Sequence, residues 1–94
     1  MSIRFTWDRD KAARNAQKHG ITFEEAATVF RDPLASIFDD EAHSEDEPCE
    51  LIIGHSVRHR LLIVSYVERS DMVRIISVRK VDPDERKSYE RAHI

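Results

Sequence analysis

The chain has 94 residues, a formal net charge of −3 and 35% charged residues against 40% hydrophobic ones. That length fits one domain spanning residues 1–94 with a modest core. Its single cysteine, Cys49, excludes an internal disulfide scaffold. The longest apolar run, Leu61 to Val64, is far shorter than the ~20 residues that span a bilayer, and the opening residues lack the apolar stretch of a secretion signal.

The elements follow in chain order. Ile3, Phe5 and Trp7 alternate with Arg4 and Thr6, which predicts a short opening strand. Asp8 is the expected N-cap of a helix over Arg9–His19, with Ala12, Ala13 and Ala16 inward. Lys18 and His19 fall in its last turn, where positive charge suits the helix dipole, and Gly20 is placed to end it in the left-handed region. Thr22 and Glu25 have capping-box spacing, and Phe23, Ala26, Ala27 and Phe30 form one apolar stripe of a second helix, which ends at Asp32-Pro33.

Four strands follow: Leu34 to Phe38, Leu51 to Ile53 closed at Gly54, Leu61 to Val67, and Val73 to Val78. An acidic loop, Asp39 to Pro48, joins the first two. The short connections imply an antiparallel meander. Asp82, Pro83 and Glu85 have the chemistry of a helix start, and a charged helix runs on through Tyr89 to Arg91. The order β-α-α-β-β-β-β-α predicts an α+β domain, mainly antiparallel, with helices packed on one sheet face. Strict alternation along the last strand puts Val73, Ile75, Ser77 and Arg79 on one face and Arg74, Ile76 and Val78 on the other.

Charge is unevenly distributed. Residues 1–31 sum to +2, residues 32–53 to −8 with no Lys or Arg, and residues 54–94 to +3. The acidic segment reads as a solvated loop, and the basic flanks are compatible with a phosphate-bearing partner.

Phe5-Thr6-Trp7-Asp8, Lys11, Asn15, Lys18-His19-Gly20-Ile21 and Phe23-Glu24-Glu25-Ala26 make a distinctive opening. Val29-Phe30, Asp32-Pro33, His43 to Glu47, Ile53-Gly54, Arg74 to Arg79, Glu85-Arg86 and Tyr89 follow in order. In this order and spacing the chain resembles the BrnT family of bacterial toxins, over about Phe5 to Tyr89. The resemblance implies a RelE-like fold and a cytoplasmic ribonuclease that halts translation. It also implies a partner, a ribbon-helix-helix antitoxin of the BrnA kind, in a hetero-oligomer. One departure is the run Pro48-Cys49-Glu50-Leu51-Ile52, which has no arginine where family members tend to carry one.

RNA cleavage needs a base for the ribose 2′-OH, positive charge on the phosphorane and an acid for the leaving oxygen. The sequence has no zinc-site spacing, so no metal or other cofactor is expected; His55 and His59 straddle a turn and read as surface histidines. The acid–base candidates are Lys18, His19, Glu68 and Tyr89. Lys18 and His19 also have a purely structural reading at the helix end, and Tyr89 one in packing. Arg79 is assigned to the phosphorane, because a guanidinium bonds two phosphate oxygens at once; its structural alternative is an ion pair with Glu85. Arg69 and Arg74 are candidates for holding the RNA backbone. Trp7 and Tyr66 are candidates for stacking on bases, with Trp7 also readable as core at the strand–helix junction. The reading from another class is a non-catalytic module that binds RNA or protein.

Overall fold

A computed structural model describes residues 3–39 and 49–92. The acidic loop of the sequence reading lies, from residue 40 to 48, outside the described residues. The chain forms β1 (Arg4–Trp7), α1 (Arg9–His19), α2 (Phe23–Thr28) with a 3-10 turn over Val29–Arg31, β2 (Ser36–Asp39), β3 (Glu50–His55), β4 (Leu61–Arg69), β5 (Met72–Lys80) and α3 (Pro83–Ala92).

The caps follow the sequence chemistry. The Asp8 carboxylate accepts from the Asp10 N–H, and Gly20 ends α1 at φ 69°, donating its N–H to Ala16 O at 2.8 Å. At α3 the box is reciprocal: the Glu85 N–H donates to Asp82 Oδ1 at 2.7 Å and the Asp82 N–H to Glu85 Oε1 at 2.8 Å. At α2 it is only half made. The Glu25 N–H donates to Thr22 Oγ1 at 3.1 Å. The Glu25 carboxylate is instead buried, accepting from Ser56 Oγ at 2.7 Å and from the Arg60 guanidinium. Charge-assisted bonds to a guanidinium outweigh one backbone N–H. In α1 the buried inward residue is Asn15, whereas Ala13 is exposed.

The five strands form one sheet in the order β1-β5-β4-β3-β2. β2 to β5 make the expected antiparallel meander, but β1 lies parallel to β5, so the sheet is mixed. β3 also runs on through Gly54, against the expectation that it closes there: Gly54 pairs with Leu62. An added Cβ at Gly54 would stand 2.9 Å from Ala35 Cβ and 3.2 Å from Val29 Cγ1, so the residue is there for close packing.

Helices pack on both faces of the sheet, contrary to the one-face expectation. On the first face, α1 and α2 enclose Phe23, Ala26, Val29, Ile52, Leu62, Val64, Tyr66, Val73, Ile75 and Val78. Phe30 sits between Phe5 and Tyr66 with edge-on rings at 5.2 and 4.9 Å, pairs each worth about 0.5–1.5 kcal/mol beyond area burial. On the second face, Tyr89 of α3 packs with Ile53, Leu61 and Ile63. The sequence carried a signal of this: Leu61 to Val64 is apolar at every position, the pattern of a strand buried on both faces.

A β-bulge lies where Ser65 faces Ser77 and Tyr66 faces Ile75, leaving Ile76 as the extra residue of β5. It breaks the strict alternation expected from sequence. Val73, Ile75 and Val78 all enter the first-face core, and Arg79, beside Ile63, turns to the second face.

Candidate functional site

The second face is apolar under α3 and polar beyond it. Strand pairing puts Thr6 beside Arg74, Ser65 beside Ser77, Val67 beside Arg74 and Arg69 beside Met72. Arg69, Arg74, Ser77 and Arg79 are all exposed. Without the bulge Arg74 and Arg79 would point to opposite sides of the sheet. With it, the β1–β5–β4 half of this face carries both arginines, with Ser77 between them along β5 and Thr6 and Ser65 on the neighbouring strands. Such a surface offers cations and hydroxyl donors to phosphate and sugar oxygens.

Arg79 is engaged. Its Nη1 donates to Glu85 Oε1 at 2.8 Å and its Nη2 to Glu85 Oε2 at 2.9 Å, the fork-to-fork geometry in which guanidinium also binds phosphate. The ion pair weighed as the structural alternative for Arg79 is therefore formed. The Arg79 guanidinium, helped by the Asp82 N–H, draws the Glu85 carboxyl down to about 2. Glu85 in turn raises Arg79 above its ordinary value.

Lys18 and His19 lie on the other side of β5. α1 is tied to that strand by Asn15, whose Oδ1 accepts the Val78 N–H at 3.1 Å while its Nδ2 donates to Ile21 O at 3.2 Å. β1 stops pairing at Ile75, so Asn15 satisfies an edge N–H that no strand covers. This brings the last turn of α1 alongside the end of β5 that bears Arg79. Lys18 is exposed and His19 half-buried, and neither side chain makes a hydrogen bond or ion pair among the described residues. Sequence reasoning singled out Asn15 only as part of a motif; its signal was a lone amide on an alanine face.

The remaining candidates have clear places. Trp7 is half-buried and packs edge-on against Phe23 at 6.0 Å, on the first face and away from Arg69 and Arg74. Tyr66 is 2% exposed and buried in the core, and burial pushes its phenol up to about 12, so base stacking by this ring is overturned. Glu68 is exposed at the end of β4. Tyr89 is buried, donating its hydroxyl to Leu34 O at 3.2 Å, and burial raises its phenol.

His55 is less incidental than its spacing suggested. Its N–H donates to Asp32 Oδ2 at 2.7 Å, its Nδ1 lies 3.6 Å from that oxygen, and its ring stands edge-on to Tyr89 at 5.8 Å. Burial pushes the Asp32 carboxyl up, but the N–H groups of His55 and Leu34 outweigh it and hold the group low. A second polar knot joins Glu25, Ser56 and Arg60. Arg60 Nη2 also reaches Gly20 O at 3.4 Å, so this knot holds the chain just after His19. Among the described residues no three His, Cys, Asp or Glu side chains converge to hold a metal ion, and no helix is long and apolar enough to cross a membrane.

A mixed five-stranded sheet with helices on both faces and an arginine-lined half defines a small α+β protein with a cationic surface. The sequence pattern described as the ribonuclease toxin BrnT of type II toxin–antitoxin systems matches residues 7–85. The chain therefore belongs to the BrnT family of ribonuclease toxins. Among solved structures it is similar to the ribonuclease toxin BrnT of Brucella abortus, with a TM-score of 0.67 and 20% identity, covering 86% of this chain and 99% of that one. At that identity the likeness is one of fold. No curated protein matches the chain.

Proposed function

We propose that this protein is a metal-independent endoribonuclease toxin, RelE-like in its fold, that halts translation in the cytoplasm by cleaving RNA. A ribbon-helix-helix antitoxin of the BrnA kind neutralises it. The observation that carries this reading is the bulge in β5, which turns Arg79 onto the face that already bears Arg74. A bulge is the usual device for re-aiming one side chain at a functional surface.

In this reading Arg74 and Arg69 hold the RNA backbone and Arg79 meets the scissile phosphate, exchanging one bidentate anion, Glu85, for another. The ribose 2′ oxygen attacks phosphorus and the bond to the 5′ oxygen breaks. One of Lys18 and His19 takes the 2′ proton and the other gives a proton to the leaving oxygen. Arg79 offsets the charge that builds on the phosphorane. Trp7 is retained only as support for this end of the sheet. A second reading, an RNA-binding module that cleaves nothing, is favoured by the Arg79–Glu85 pair, which occupies the cation that chemistry needs. Incubating the purified protein, separated from antitoxin, with single-stranded RNA and a chelator decides between them. Cleavage supports the toxin chemistry, and binding without cleavage supports the module.

A further inference from the structure

The β2 edge differs from the rest of the surface. Three large apolar side chains stand exposed within five positions: Leu34 at 59%, Ile37 at 57% and Phe38 at 49%. β2 is the terminal strand of the sheet, with β3 alone paired beside it among the described residues. Strand pairing puts Phe38 opposite Leu51 and Ser36 opposite Ile53, on the second face. There Phe38, Ser36 and Ile53 border a groove of about 410 Å³ whose other wall is α3, through Ser88, Tyr89 and Ala92. The groove is apolar inside and acidic at its α3 rim, where Asp84 and Glu85 stand. The strand pair beside it ends in two more carboxylates, Asp39 opposite Glu50, and residues 32–53 contain no Lys or Arg.

An exposed apolar edge strand is a template for another strand, and natural proteins commonly blunt such edges with lysine or proline. β2 carries neither. We propose that the β2 edge and its groove dock an extended segment of the antitoxin that turns both apolar and basic side chains to the second face. That segment adds as a sixth strand. Its apolar side chains settle beside Phe38 and its cations meet Asp84. Main-chain bonds give such a contact its affinity and the groove its selectivity. A second copy of this chain fits poorly, because two acidic edges would face each other. The inference rests on the toxin reading, and it places the antitoxin's hold away from Arg74 and Arg69.

The test measures the affinity of the purified protein for the antitoxin encoded beside it, in the native form and as Phe38→Glu and Asp84→Lys, with RNA cleavage read in parallel. Both side chains are on the surface, so melting should stay near native. Phe38→Glu should weaken antitoxin binding by at least ~10-fold, as loss of an apolar anchor does, and Asp84→Lys several-fold, while cleavage by the antitoxin-free protein is unchanged. Affinity within threefold of native for both variants overturns the docking site alone. A native dimer broken by Phe38→Glu with antitoxin affinity intact assigns the edge to a second copy instead. A native protein that binds no antitoxin overturns the docking site and the toxin reading together.

Discussion

Arg79 stands in two roles, and a pair of substitutions separates them. Arg79→Ala removes both the bidentate pair with Glu85 and the guanidinium proposed to meet phosphate. Glu85→Gln removes the pair and keeps the guanidinium. The Glu85 carboxyl lies at about 2 against an unfolded value near 4.3, so the full shift would correspond to about 3 kcal/mol. The Arg79 side chain is 44% exposed, and solvent screening reduces the pair to about 1 kcal/mol. The carboxyl is lowered in the folded state, so this stabilisation is complete above about pH 5 and is lost as pH falls toward 2. Each variant should therefore melt ~4–8 °C below native at pH 7, with the gap narrowing at pH 3. RNA cleavage should diverge. Arg79→Ala loses a transition-state contact and should fall ~10²–10³-fold, whereas Glu85→Gln releases Arg79 and should match or exceed native. Near-native activity in Arg79→Ala would refute a role for Arg79 in catalysis and send the search to Lys18 and His19.

Arg60→Ala should be the most damaging surface-reachable change, because it leaves the buried Glu25 carboxylate, now held low chiefly by Arg60, without its charge partner. Breaking such a pair costs about 3–5 kcal/mol, visible as a large drop in the urea midpoint. The two glycines should differ. Gly54→Ala drives a Cβ into Ala35 and Asp32 and should lose about 1–3 kcal/mol by overpacking. Gly20→Ala meets nothing within 4 Å and should lose about 1 kcal/mol from its positive φ alone, with both read from chemical denaturation.

How far the sequence reached depended on the range of the interaction. Local chemistry was legible: the Asp8, Thr22 and Asp82 caps, the left-handed Gly20 and the four meander strands were all readable within a few residues of chain. Pairing between distant segments was not. Nothing near Arg4–Trp7 says that this strand lies parallel to β5, and nothing near Glu25 says that Arg60 will displace the reciprocal half of its capping box. The bulge was hidden for the same reason. Val73, Ile75 and Ser77 alternate well enough to suggest an unbroken strand, and only the demand that Val78 join the core forces the extra residue at Ile76. Arg69, Arg74 and Arg79 were therefore found by type, while the fact that Arg74 and Arg79 share a face belongs to the tertiary structure. His55 was passed over because its partners, Asp32 and Tyr89, lie far away in sequence.

The most direct test of the central claim is the chemistry of the RNA ends left by the antitoxin-free protein in the presence of excess chelator. Attack by the 2′ oxygen leaves fragments that end in a 2′,3′-cyclic phosphate or its hydrolysis product, and mass spectrometry of the products should find these. Fragments carrying only 3′-hydroxyl ends, or cleavage that stops when the chelator is added, would contradict it.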